Sequence, residues 1–137
     1  MEIRRTIRLW KNIIRQAWKD LKSISLNEYH NNLVEAKQSY YIIERVDIVE
    51  EVRKYGTVHP FDSDIPGFVY RSDCPFADHT DPKIPMLLNP YKKIYYCHHC
   101  AIAGNVVGFV MKKHNWEANI AIEFIAANHD LDLPFDL

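Results

Sequence analysis

A chain of 137 residues, 47% hydrophobic and 26% charged, has the composition of a folded globular protein and excludes a disordered tail. Its length suits one compact domain of about 100–150 residues with an appended element, and no apolar run reaches the roughly 18–20 residues of a membrane span. The formal net charge of −1 says little about nucleic acid, because the charge is unevenly spread and local patches must decide.

Residues 1–22 hold seven basic side chains (Arg4, Arg5, Arg8, Lys11, Arg15, Lys19 and Lys22) against Glu2 and Asp20. Ile3, Ile7, Trp10, Ile14, Ala17 and Leu21 recur at helical spacing, which predicts an amphipathic helix with a basic outer face. Its apolar side is expected to pack on the next helix, on a partner or on a second copy, and not on a membrane. No apolar segment followed by a small-residue cleavage site opens the chain, so no secretory signal is expected. Ser25-Leu26-Asn27-Glu28 reads as a capping box opening a second helix that buries Tyr29, Leu33, Ala36, Tyr40 and Ile43 as one stripe. Asp47, with Glu50 three residues on, opens a short third helix that Gly56 ends.

Beyond Gly56 the pattern changes. His59-Pro60 and Ile65-Pro66-Gly67 are turn and edge chemistry. Three short β-like runs follow, Phe68 to Ser72, Met86 to Leu88 and Lys93 to Cys97, and Asn89-Pro90 turns the last two into a hairpin. Helical spacing returns with Val106, Phe109 and Val110. Asn115 is expected to cap a last helix carrying Trp116, Ile120, Phe124 and Ile125, before a frayed acidic tail. The expected fold is α+β, a small antiparallel zinc-ribbon sheet flanked by helices. Its organisation is a helical extension at 1–39, a β-containing domain at 40–128 and a tail at 129–137.

Three cysteines cannot pair evenly, and two of them stand as Cys97-His98-His99-Cys100, a C-x2-C knuckle. Structural zinc takes four Cys or His ligands in a tetrahedron. Cys74 and His79, with four residues between them, supply a second pair, and a hairpin folding back over the 17 residues from His79 to Cys97 brings both pairs together. Cys74, His79, Cys97 and Cys100 are therefore the expected ligands of one Zn2+, with His98, His99 and His59 as the competing histidines. Four ligands close the shell. The H-x-E and P-C-x-x-C signature of zinc deaminases is also absent, since Thr80-Asp81 follows the histidine and Tyr96 precedes Cys97. No catalytic residue is expected.

The ordered set Cys74-Pro75-Phe76, His79, Pro85, Asn89 through Cys100 and Gly104 through Met111 resembles the zinc-binding domain of DnaG-type bacterial DNA primases. The resemblance extends upstream through Ile43 to Val49 and downstream through Trp116 to Ala126, covering about Tyr40 to Ala127. His79 stands five residues after Cys74, where the family usually has three, as though Ala77-Asp78 were inserted. His99, Ala101 and Ala103 stand where the family tends to have glycines, and His99 is expected to take up positive φ. The resemblance implies a module that engages single-stranded DNA in primer synthesis and works with a separate polymerase core. That core is too large to fit in the remaining residues, so the chain is not expected to be an enzyme by itself.

Single strands bind where aromatic platforms are flanked by cations. Phe68, Tyr70 and Arg71 on one run and Lys92, Lys93 and Tyr95 on the hairpin supply that mixture, with Lys112 and Lys113 extending the basic edge. Alternation places Phe68 with Tyr70, and Lys93 with Tyr95, on common faces; of Tyr95 and Tyr96, one only is expected to be buried. A second expectation is a stand-alone module of a phage or mobile element that docks on a replicative helicase or polymerase through its N-terminal helix. Either way the expected location is the cytoplasm, in bacterial or phage- or plasmid-encoded form.

Overall fold

The computed structural model describes residues 8–15, 26–77 and 79–135. Residues 8–15 form a helix, α1, on which Leu9, Ile13 and Ile14 are exposed. Ile14 was expected on the packed face, and it is open to solvent. Ile3, Ile7, Ala17 and Leu21 lie outside the described residues, as does the expected cap Ser25.

The second helix, α2, spans Leu26–Arg45 without interruption. Its buried line is turned from the expected stripe: Ile42 is fully buried, Ala36 is exposed and Tyr40 is 62% exposed. Ile42 lies one turn before buried Val46, and on the same side Gln38 Nε2 donates to the Pro134 carbonyl at 2.8 Å. That bond, with half-buried Leu131 and Leu133, packs the expected frayed tail onto the core. The third helix, α3, spans Ile48–Arg53 and opens as expected, with Asp47 Oδ1 accepting from the Val49 amide at 2.8 Å.

Five strands follow: β1 (Val58–Pro60), β2 (Tyr70–Ser72), β3 (Met86–Asn89), β4 (Ile94–Cys97) and β5 (Ile102–Gly104). They form one antiparallel meander in sequence order. Two of the five were not among the expected runs. β1 and β5 are three residues each, too short to show a period of two, and Pro60 is tolerated because β1 is an edge. Helices α4 (Val106–His114) and α5 (Ala118–Asn128) close the chain. Asn105 caps α4 by accepting from the Gly108 amide at 2.9 Å. Asn115 ends α4 and does not open α5: it sits left-handed at φ 57°, a conformation asparagine tolerates, and Glu117 takes the N-cap position. No described helix is long and apolar enough to cross a membrane.

Strand alternation divides the sheet into two faces. Tyr70, Leu88, Tyr95 and Gly104 are in register on the inner face, as are Ser72, Met86, Cys97 and Ile102. This face meets α2 to α5 through Ile42, Val52, Phe109, Ile122 and Ile125, all fully buried. Phe76, Tyr95 and Phe109 make an aromatic triangle with ring centroids 5.5–5.7 Å apart, directly behind the cysteines. On the outer face the register runs His59, Arg71, Leu87, Tyr96, Ala103. Phe68, Ile94 and Tyr96 form a small second cluster there, partly roofed by Ile65.

Candidate metal centre and open sheet face

Cys74 follows β2 in a loop anchored by buried Phe76, whose carbonyl accepts from the His79 amide at 3.1 Å. Cys97 ends β4 and Cys100 closes the turn after it. The folding back of β3 on β4 thus delivers both pairs to one point. The four ligand atoms of Cys74, His79, Cys97 and Cys100 lie within 4.8 Å of one another. Cys74 Sγ is 3.8 Å from Cys100 Sγ, and His79 Nδ1 is 3.3 Å from Cys97 Sγ and 3.4 Å from Cys100 Sγ. A tetrahedral zinc with ordinary bond lengths has edges of about 3.8 Å between sulfurs and about 3.6 Å from sulfur to nitrogen. The donor chemistry and these three edges fit Zn2+, and four ligands leave no position open for water.

The sulfurs also act on one another electrostatically. Burial pushes the Cys74 thiol up, opposed by a hydrogen bond from the Phe76 backbone and reinforced by the Cys97 and Cys100 sulfurs. Burial likewise raises the Tyr95 hydroxyl, with the three cysteines adding to it. Three thiolates so close together need a dication between them. His79 Nε2 faces the Asp81 carbonyl at 2.6 Å, the outer hydrogen bond that fixes a metal-bound imidazole. The competing histidines are engaged elsewhere: His99 Nε2 accepts from Thr80, and His98 Nδ1 meets the Tyr96 hydroxyl at 2.8 Å. His59 lies on β1. His99 does not carry the expected positive φ. Ala101, at φ 54°, makes the sharp turn instead.

The residues expected to meet DNA do not share a surface. Phe68 and Tyr95 are each 1% exposed and lie in different clusters, so neither ring is open for stacking. Phe68 precedes β2 and packs with the outer cluster, whereas Tyr70 packs inward, which corrects their expected common face. Tyr96 is 6% exposed, so both tyrosines are buried, one on each side of the sheet. Lys93 is a turn residue at φ 60°, outside β4, and its Nζ donates to the Glu44 carbonyl at 2.9 Å, near the C-terminus of α2. Lys112 and Lys113 are on α4, over the Phe76 and Tyr55 rings. Arg71 and Lys92 remain exposed, Arg71 on the outer face and Lys92 in the β3–β4 turn. His59 and Leu87, not assigned to this face from the sequence, flank Arg71 there as its register partners on β1 and β3; with β1 unrecognised, no sequence signal pairs His59 with Arg71.

A family model described as CHC2 zinc finger matches residues 34–137. The DNA primase of Thermotoga maritima is 33% identical over 92 residues, covering 67% of this chain and 15% of the relative. The DNA primase of Pseudomonas aeruginosa is 32% identical over 93 residues, covering 68% and 13%. The chain therefore spans only a small part of the length of these curated relatives. A crystal structure of the Aquifex aeolicus primase (zinc binding and RNA polymerase domains) has a like fold, with a TM-score of 0.58 at 22% identity, covering 72% of this chain and 23% of that one. With a matching model over more than half its length and a Cys-His-Cys-Cys cluster shaped for one structural Zn2+, the chain belongs to the CHC2 zinc-finger family of DnaG-type DNA primases.

Proposed function

We propose that the chain is the template-reading module of a primase. Cys74, His79, Cys97 and Cys100 hold the zinc, the zinc pins the β3–β4 hairpin, and the outer face of the sheet binds single-stranded DNA. A polymerase core makes the primer in the same cytoplasmic reaction, a pairing that the relatives' identity as DNA primases supports. The observation that carries the reading is the exposed pair His59 and Arg71, which begin the row that crosses all five strands on the face turned away from the helices; Leu87, Tyr96 and Ala103 of the same row pack into the Phe68 cluster. Within it the Arg71 guanidinium lies 5.5 Å over the Phe61 ring, pairing a cation with an aromatic plane. At the end of the same sheet the β3–β4 turn exposes Tyr91 (76%) and Lys92. Base stacking on such groups contributes roughly 1–3 kcal/mol per base, so the module alone binds weakly and gains affinity from a partner.

Fluorescence anisotropy with a labelled single-stranded oligonucleotide tests this. Arg71→Ala and Tyr91→Ala should each weaken binding by roughly fivefold or more, with zinc content unchanged. Equal affinity in wild type and both variants would remove the DNA face. A protein-docking role is the second reading, motivated by the exposed apolar residues Leu9, Ile13 and Ile14 on α1. It predicts co-purification with a replicative helicase or polymerase that is lost on deleting residues 1–25.

A further inference from the structure

A cavity of about 380 Å³ opens at the β1–β2 edge of the outer face, and the strand-binding row accounts for only one side of it. That side presents His59 and Arg71, which are register partners on adjacent strands. The rest of its lining includes the loop carrying Pro82, Lys83 and Pro85. The backbone of this loop is fixed around Lys83. Asp81 Oδ1 accepts from the Lys83 amide at 2.9 Å, and the Asp81 carbonyl accepts from the Ile84 amide at 3.3 Å. Prolines on either side fix φ at two of the remaining positions. The same Asp81 carbonyl receives the His79 ring at 2.6 Å, so the Lys83 wall is tied to a residue of the metal cluster.

The charge in this cavity is unbalanced. Arg71 and Lys83 both line it, His59 adds a ring nitrogen, and Asp73 is the one carboxylate among the lining residues. Neither Arg71 nor Lys83 forms an ion pair among the described residues. An arginine fork and a lysine point charge lining one polar recess suit a tetrahedral oxyanion, which offers an acceptor to each. We propose that this recess is a phosphate-binding pocket, with Arg71, Lys83 and His59 as its donors. The phosphate belongs either to the backbone of the bound strand or to a nucleoside polyphosphate. The strand source rests on the single-strand reading above, and the polyphosphate source does not.

Lys83→Gln separates the cases, because Lys83 is exposed and stands outside the strand-binding row. The zinc-loaded chain and this variant are titrated with a single-stranded oligonucleotide over a range of salt, and with inorganic pyrophosphate by calorimetry. If the strand supplies the phosphate, Lys83→Gln weakens oligonucleotide binding about fivefold at 0.1 M salt and lowers the salt slope by about 0.7. If a polyphosphate supplies it, wild type binds pyrophosphate saturably, the variant loses roughly tenfold or more, and oligonucleotide binding is unchanged. Pyrophosphate binding without any oligonucleotide binding leaves the pocket standing and removes the single-strand reading. Oligonucleotide binding that ignores Lys83→Gln, with no pyrophosphate bound, does the reverse and overturns the pocket. A wild-type chain that binds neither probe overturns both.

Discussion

His79 directs Nε2 at the Asp81 carbonyl across 2.6 Å. A backbone carbonyl only accepts, so Nε2 carries the proton and Nδ1 is left with its lone pair toward Cys97 and Cys100. The tautomer needed for a metal ligand is therefore set by the chain itself. His79→Ala should lower zinc affinity by more than the 10–100-fold typical of losing an outer partner. His99→Ala should keep the zinc, since the His99 Nε2 is occupied by Thr80. A chromophoric chelator competition reads both. Zinc affinity should also fall as the pH falls, because protons compete for the thiolates, and the upward push on Cys74 widens the range over which they do. Full chelation should collapse the near-ultraviolet signal of Tyr95 and Phe76, which pack directly behind the cysteines.

The Ala101 backbone stores strain that a glycine would release. Its φ of 54° is left-handed, a region where a Cβ is crowded by the neighbouring carbonyl. The Ala101 side chain is exposed. Ala101→Gly should raise the stability of the zinc-loaded chain by about 1 kcal/mol, measured by denaturant midpoint. Ala103→Gly, two residues on in strand β5, should lower it, which separates the turn effect from a general effect of glycine.

The metal cluster was legible because ligand spacing is local: C-x2-C and the Cys74–His79 pair mark it without knowledge of the fold. The helices after Gly104 were legible for a similar reason, since Val106, Phe109 and Val110 repeat at helical spacing. The outer face was not. Alternation carries through a strand but not through a turn, and Lys93 sits in the β3–β4 turn, so counting from it to Tyr95 crosses the turn. Phe68 is drawn off the expected strand by a loop in which the Ser63 hydroxyl lies against the Ile65 and Phe68 carbonyls at 2.9 and 2.6 Å. Gly67 there, at φ 86°, approaches Asn89 so closely that an added Cβ would lie 2.5 Å from its Nδ2. None of these contacts leaves a periodic trace in the sequence.

Alkaline pH should find a weak point in Tyr95. Its hydroxyl is raised above the usual tyrosine value, chiefly by burial and further by the three cysteines. A raised folded value means that stability is fully present below the unfolded value of about 10 and is lost as pH climbs above it. Tyr55 is raised in the same direction, by burial and by Glu51. Thermal midpoints measured from pH 8 to 11 should therefore decline above pH 10, and Tyr95→Phe should flatten the decline. An equal decline in the variant would assign it to other groups.

Glu51 is a charged residue in a place that an apolar one could fill. Its side chain is fully buried on α3, and Oε2 meets Lys54 Nζ at 2.9 Å and His129 Nε2 at 3.1 Å. Its other oxygen, Oε1, is buried without a hydrogen-bond partner among the described residues. The carboxylate is thus half satisfied, and its desolvation is offset on one side only. Lys54 is 40% exposed and His129 28%, so both have water within reach if the carboxylate is removed. Glu51→Leu should accordingly be neutral or stabilising, by up to about 1–4 kcal/mol. The double variant Lys54→Met with His129→Leu should be destabilising by about 3–5 kcal/mol, since it strands the buried charge. Equilibrium denaturation of the zinc-loaded chain measures both. A strong loss of stability in Glu51→Leu would mean that the carboxylate holds α3 to the end of α5 by more than the packing around it.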